Sequence, residues 1–231
     1  MQRKDLSLLT NTSLFSGLKQ DELDRVAQAA RIRMVDNQGF FYMEQDPAES
    51  LYILMEGRIR LVQVTPSGQQ VIMRYISPVE EFGVIAMLSG AVHPVSAQAV
   101  DDSTALYWNK ASLKVLIEQI PGVAINALQT LADRVSEFQD RIRELTTERV
   151  ERRIARALLR LAQQTGRKVE DGVLVDLLIT RQDIAEMTGT TIFTVSRTMS
   201  QWETQGIIKS GREKIIIRRP HQLVVIAEDL P

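Results

Sequence analysis

Apolar positions along this chain change their spacing three times, and each change predicts a different element. Residues 18–35, "LKQDELDRVAQAARIRMV", read as a helix passing into an extended segment. Between residues 39 and 108 the apolar residues come in short runs rich in β-branched and aromatic side chains, such as "SLYILMEGRIRLVQV" and "QQVIMRYIS". Turn residues separate the runs: Asp46-Pro47, Gly57, Pro66-Ser67-Gly68, Pro78, Gly90 and Pro94. Short strands with turns between them predict an antiparallel sandwich or jelly-roll-like β-roll.

From residue 119 to 146 the spacing turns helical. Leu128, Leu131, Val135, Phe138, Ile142 and Leu145 follow one another at intervals of 3, 4, 3, 4 and 3, an a/d seam flanked by charged residues. A regular seam suits a long parallel partner helix, and so a homodimer. A face packed on its own domain is the alternative. Thr146-Thr147-Glu148 interrupts the seam and is a candidate N-cap and inter-domain hinge. A second amphipathic helix follows, with Val150, Ile154, Leu158 and Leu161 on one face and Gly166 at its end.

After "VEDGVLVDLLIT", read as a strand pair, Thr180 caps a short helix with Asp183 at its third position and Gly189 at its end. The next helix, in "TGTTIFTVSRTMSQWETQG", turns Val195, Met199 and Trp202 inward. In "IIKSGREKIIIRRP" the isoleucines flank Ser210-Gly211 as a β-hairpin. Two helices on a tight glycine turn followed by a hairpin predict a winged helix–turn–helix. The expected organisation is α+β: a β-roll over 1–118, a dimerisation helix over 119–146 and a DNA-binding head over 147–231.

Composition sharpens this. The chain has 231 residues, 44% hydrophobic and 25% charged, enough to build cores in two modest domains. No run approaches the roughly 20 apolar residues of a bilayer span. The first residues lack a continuous apolar signal segment, so a cytoplasmic location without membrane association is expected. With no cysteine, disulfides, thiolate zinc sites, a cysteine nucleophile and a cysteine-ligated iron–sulfur cluster are excluded. Net charge is −1, but over 191–219 Arg197, Lys209, Arg212, Lys214, Arg218 and Arg219 face only Glu203 and Glu213. One basic face near the C-terminus follows.

The order of parts, with "GFFYMEQDPAESLYILMEGRIRLVQVTPSGQQVIMRYI" in the roll and "ITRQDIAEMTGTTIFTVSRTMSQWETQGII" in the head, resembles the CRP/FNR family of bacterial transcription regulators. The resemblance covers nearly the whole chain. It implies double-stranded DNA and RNA polymerase as partners and an effector pocket in the roll. That pocket would involve Gly83, Val84, Ile85, Met87, His93, Val95 and Ser96. Cyclic-AMP-binding members carry a glutamate after the glycine for the ribose and an arginine before a serine for the cyclic phosphate. Here Val84 follows Gly83, and the arginine–serine position falls near His93-Pro94-Val95. A cyclic phosphate there would be a desolvated anion without a partner, so cyclic AMP is disfavoured. Haem with gas sensing, an organic ligand, or no ligand remain open. His93, one of two histidines, is the candidate haem ligand, and its other reading is a turn residue before Pro94. His221 reads as a surface residue.

In the head, the resemblance makes the second helix the reader of the major groove. Thr190, Thr191 and Thr194 are expected to hydrogen-bond phosphates, where free N–H groups at a helix start favour anions. Arg197, after Ser196, is expected to contact guanine O6 and N7. Many members carry a glutamate four residues before this arginine to accept from cytosine. Phe193 stands there instead, preceded by Ile192, and a phenyl ring can contact thymine methyls but cannot accept that bond. Ile192 either joins the Val195 stripe or faces out with Phe193. Lys209, Arg212 and Lys214 in the wing, with Arg218 and Arg219, are expected phosphate contacts. An enzyme finds little support: there is no glycine-rich phosphate loop or metal-ligand cluster. A cyclic-nucleotide-binding module acting on a partner protein is the second alternative, but needs no basic helix–turn–helix.

Overall fold

The computed structural model describes residues 8–90, 92–211 and 214–230. The chain divides into two compact units, one of residues 1–69 and 73–137, the other of residues 70–72 and 138–231.

In the first unit, helix α1 (Gln20–Ala29) leads into strand β1 (Arg31–Val35), as its pattern predicts. Strands β2 (Phe40–Tyr42), β3 (Ser50–Glu56), β4 (Ile59–Val64), β5 (Gln70–Ile76, of which 73–76 lie in this unit), β6 (Glu81–Phe82), β7 (Ser96–Ala99) and β8 (Ser103–Asn109) complete the roll. They form two four-stranded sheets, ordered β1-β8-β3-β6 and β2-β7-β4-β5. Strand β3 pairs antiparallel with β8, Leu51 opposite Trp108 and Tyr52 opposite Tyr107. Successive side chains point to opposite faces of a strand, and here both faces are buried. Leu51, Ile53, Leu106 and Trp108 enter a core beneath the helices, while Tyr52, Leu54 and Ala105 enter the roll interior. That is why the sequence of β3 is a continuous apolar run rather than an alternating one.

The helix-side core joins the sheet to α1, to α2 (Val84–Ser89), to α3 (Lys110–Gln119) and to the first turns of α4 (Pro121–Thr147). Trp108 anchors it, its Nε1 donating to the Val26 carbonyl at 2.8 Å and its ring meeting Phe15 edge-on at 5.2 Å. Asn109 caps α3 by accepting from the Ser112 N–H at 2.8 Å. Along α4, Val123 and Ala127 are buried in this core, and Asn126 donates to the carbonyls of Leu14 and Ser16 at 3.0 and 2.9 Å.

The second unit is built on α5 (Val150–Thr165), whose Ile154, Leu158 and Leu161 are buried as the stripe predicts. It continues through β9 (Gly166–Val169), β10 (Gly172–Val175), α6 (Arg181–Thr188), α7 (Ile192–Thr204), β11 (Ile208–Gly211), β12 (Lys214–Ile217) and α8 (Pro220–Glu228). The sheet runs β11-β12-β10-β9. Two local expectations are corrected. Thr146 and Thr147 do not cap α5; their hydroxyls donate back to the carbonyls of Ile142 and Arg143 at 2.8 Å each, closing the end of α4. The N-cap of α5 is Arg149, without a side-chain cap bond. Ser210 and Gly211 lie within β11, paired with Ile215 and Lys214, rather than in the hairpin turn. The turn residues, including the expected phosphate contact Arg212, fall outside the described residues.

Candidate nucleic-acid interface

The helix–turn–helix is set by capping at close range. The Thr180 hydroxyl oxygen accepts from the Asp183 N–H at 3.1 Å, and the Asp183 carboxylate accepts from the Thr180 N–H and hydroxyl at 2.7 Å each. This reciprocal capping box starts α6. Gly189 ends it at φ +59°, a left-handed backbone that side chains disfavour. The turn delivers the chain to Thr191, whose hydroxyl oxygen caps α7 by accepting from the Thr194 N–H at 3.2 Å. A cap hydroxyl that accepts from the backbone keeps its own proton to donate. The Thr191 and Thr194 hydroxyls also share one hydrogen bond at 3.1 Å, so one of their two protons is left to donate to an anion.

Along α7 the burial divides cleanly. Val195, Met199 and Trp202 are buried in the head. Phe193 is 83% exposed and Ile192 39% exposed, so both stand outside the stripe. Arg197 is exposed one turn after Phe193, and Thr190, Thr194 and Ser196 are half-buried beside it. Among the described residues Arg197 forms no salt bridge. The outer face of α7 thus offers a large apolar ring, an unneutralised guanidinium and hydroxyl donors, groups that can meet thymine methyls, guanine acceptors and phosphate oxygens.

The wing differs from the sequence reading in its charge. Asp171, in the β9–β10 turn, lies 3.0 Å from Arg218 and 3.6 Å from Lys209. The Arg218 hydrogen bond, joined by the Lys209 charge, holds the Asp171 carboxyl below the ordinary range. Two of the expected phosphate contacts are therefore already paired, whereas Lys214 is exposed. A second network went unforeseen. Glu203, near the end of α7, accepts from the Ser210 N–H at 2.9 Å and from its hydroxyl, and lies 3.7 Å from Arg181. It ties the start of α6, the end of α7 and the wing together. The sequence offered "VEDGVLVDLLIT" only as a strand pair; the strand register that brings Asp171 to Arg218 was not visible in it.

The six seam residues line one side of α4 and all are exposed in the single chain, from Leu131 at 37% to Leu128 at 67%. The expected effector residues stand in different surroundings. Gly83 takes φ +79° at the start of α2, and a Cβ there would lie 3.5 Å from the Tyr42 ring and 3.4 Å from Tyr52. Val84 and Met87 are buried in the helix-side core, Ile85 faces solvent, Val95 is half-buried and the Ser96 hydroxyl accepts from the Glu44 N–H at 2.8 Å. His93 is 2% exposed, and its ring stacks on Tyr42 at 3.5 Å and 7°. Tyr42 leads on to Tyr52 and Phe82, which stack at 5.0 Å. A histidine lying flat against a buried tyrosine, beside packed aromatic rings, does not fit a haem. A cleft of about 330 Å³ lies elsewhere in this unit, lined by Thr10–Ser13, Ser16, Val79–Glu81 and Arg134. None of the expected effector residues lines it. Among the described residues no single helix is long and apolar enough to cross a membrane, and no cluster of metal-ligating side chains occurs.

A cyclic nucleotide-binding domain model matches residues 35–120, and a Crp-like helix-turn-helix domain model matches residues 152–226. The chain is similar to the cyclic AMP receptor protein of Thermus thermophilus, with 27% identity over 219 residues, 95% of this chain and 98% of that protein. It is also similar to the global nitrogen regulator of Synechococcus elongatus, 29% identical over 178 residues, 76% of this chain and 80% of that protein. Among solved structures, FixK2 from Bradyrhizobium japonicum superposes with a TM-score of 0.76 at 27% identity, covering 85% of this chain and 96% of that one. With a nucleotide-binding-type roll, a long helix and a Crp-like reader head in one chain, the protein belongs to the CRP/FNR family of transcription regulators.

Proposed function

We propose that this regulator acts as a homodimer on a two-fold-symmetric DNA site, without cyclic AMP as its effector. The observation that carries the dimer is the exposed 3-4 stripe from Leu128 to Leu145 on α4. An apolar seam left in water for nearly three heptads is the normal signature of a helix awaiting its partner. Two copies joined there present two recognition helices, and such dimers read half-sites about one DNA turn apart, roughly 34 Å. On α7, Arg197 reads guanine, Phe193 contacts thymine methyls beside Ile192, and Thr190, Thr191, Thr194 and Ser196 position the helix on phosphates. Lys209 and Lys214 strengthen binding without sequence preference, Lys209 only after exchanging Asp171 for a phosphate.

The departure from cyclic AMP is supported by Val84 after Gly83, and by the aromatic residues that occupy the roll interior. The effector is an organic ligand or none. RNA polymerase is the partner through which the bound dimer acts, in the cytoplasm.

Sedimentation of the full chain at micromolar concentration, with gel shifts on duplexes selected from a random library, tests the reading. A dimer enriching an inverted repeat, unaffected by millimolar cyclic AMP, is expected. A monomer that binds, or affinity that rises with cyclic AMP, would contradict it.

A further inference from the structure

The last seam residues, Phe138, Ile142 and Leu145, fall in the same compact unit as the reader head. Only Glu148 and Arg149 separate α4 from α5. A link that short between two helices is a natural hinge when nothing holds it. Here it is held from several sides.

Glu144, in the last turns of α4, is only 5% exposed. Arg160 of α5 approaches its carboxylate at 2.6 Å and Arg141 at 3.2 Å. Glu148, in the link itself, takes Arg156 at 3.0 Å and Arg152 at 3.6 Å. Those two arginines reach on to Glu228 at 2.8 Å and Asp229 at 3.5 Å, at the end of α8. Helix ends leave carbonyls without partners, and Arg153 gathers two of them. It donates to the Leu145 carbonyl at 3.1 Å, and its other terminal nitrogen lies 3.5 Å from the Gly189 carbonyl, a longer contact. The Leu145 side chain also comes near Gly189, where an added Cβ would lie 3.3 Å from its methyl group. The final seam residue and the turn that launches the recognition helix are therefore close neighbours, both reached by Arg153.

We propose that Arg153 and the Arg141–Glu144–Arg160 cluster are positioning residues that lock the recognition helix to the dimer seam, and so set the half-site spacing the dimer accepts. This rests on the paired-helix dimer proposed above. A buried carboxylate between two guanidinium groups resists opening, because parting them strands a charge out of water. One added base pair moves a half-site by about 3.4 Å and turns it by about 34°. A head locked at its corner cannot follow that displacement, whereas a head on a free hinge can.

The test uses the full chain and the inverted repeat it enriches from a random duplex library, remade with spacers longer or shorter by one and two base pairs. The wild-type protein should lose about tenfold or more in affinity for a two-base-pair change. Arg153→Gln and Glu144→Gln, checked for dimer mass and folded circular dichroism, should bind all spacers within about threefold of one another. Arg153→Lys, which keeps a donor for the Leu145 carbonyl, should restore part of the discrimination. A merely structural role would weaken every spacer alike. Folded, dimeric variants with wild-type discrimination overturn the proposal. Hydrogen exchange on the unaltered protein judges it even if the variants do not fold. The amides of Glu148 and Arg153, bonded to the carbonyls of Glu144 and Arg149 at 3.1 and 3.2 Å, should exchange as slowly as the core of α7. Exchange at the rate of an open loop would overturn it. If the wild-type chain is monomeric or enriches no inverted repeat, the dimer reading fails, and the exchange experiment still decides whether the corner is locked.

Discussion

Helices α4 and α5 follow one another and carry similar apolar stripes, yet their fates are opposite. On α5 the stripe of Ile154, Leu158 and Leu161 is sealed inside the head. On α4 the stripe from Leu128 to Leu145 is exposed, although the same helix buries Val123 and Ala127 against the roll. Periodicity states that a face needs covering; it does not state what covers it. That distinction separates a residue whose loss unfolds a domain from one whose loss separates two chains.

The largest effect should come from the exposed stripe. Replacing Leu131 and Phe138 together by Glu should give a folded monomer, with site-specific DNA affinity lowered about 100-fold or more as the second head ceases to be tethered. Sedimentation and gel shifts measure this, and undiminished affinity in a proven monomer would refute the seam. On the buried stripe, Leu158→Ala should destabilise the head by about 2–5 kcal/mol through the cavity it leaves. Its dimer mass should not change. A thermal shift too small for 1 kcal/mol would mean α5 is not the core helix it looks to be.

Within the head, Arg197→Ala should cost about 1–3 kcal/mol at one base pair in each half-site. It should hardly alter the salt dependence. A fall of about 0.9 in the log–log salt slope per head would instead make Arg197 a phosphate contact.

The smallest effect concerns the roll. Burial lowers the His93 pKa, opposed in part by Asp46. The fold then favours the neutral ring, so this stabilisation is full above the ordinary histidine value and is lost as pH falls through the lowered one. Urea midpoints should drop between pH 7.5 and pH 5, by less than Leu158→Ala costs, and His93→Phe should flatten the drop. An unchanged slope in that variant would remove His93 from the account.

Much of the head was legible because its signals are short-range. Thr180 and Asp183 cap α6 three residues apart, Gly189 supplies a left-handed turn, and Val195, Met199 and Trp202 recur at helical spacing. The outward position of Phe193 followed from the same spacing, while Ile192 was ambiguous because it borders the stripe. The hydroxyls at Thr146-Thr147 misled, since a threonine can cap the helix after it or bond to the turn before it. The wing charges misled for another reason. Pairing of Lys209 and Arg218 with Asp171 depends on strand register, which no local pattern reports. Likewise, the motif around Gly83 and His93 read as a pocket, whereas Tyr42 and Tyr52, from other strands, fill the space beside it.

The sequence by itself determined the order of elements, the helix–turn–helix, the two stripes and the absence of cysteine chemistry. Each depends on residue type or on spacing within a few turns of chain. Only the tertiary structure decided which stripe is covered, which cations are already paired, and that the corner between α4 and α5 is bound by buried charges rather than left free. Those outcomes depend on what arrives from distant parts of the chain, and a buried charge or an apolar face takes its energy from that company.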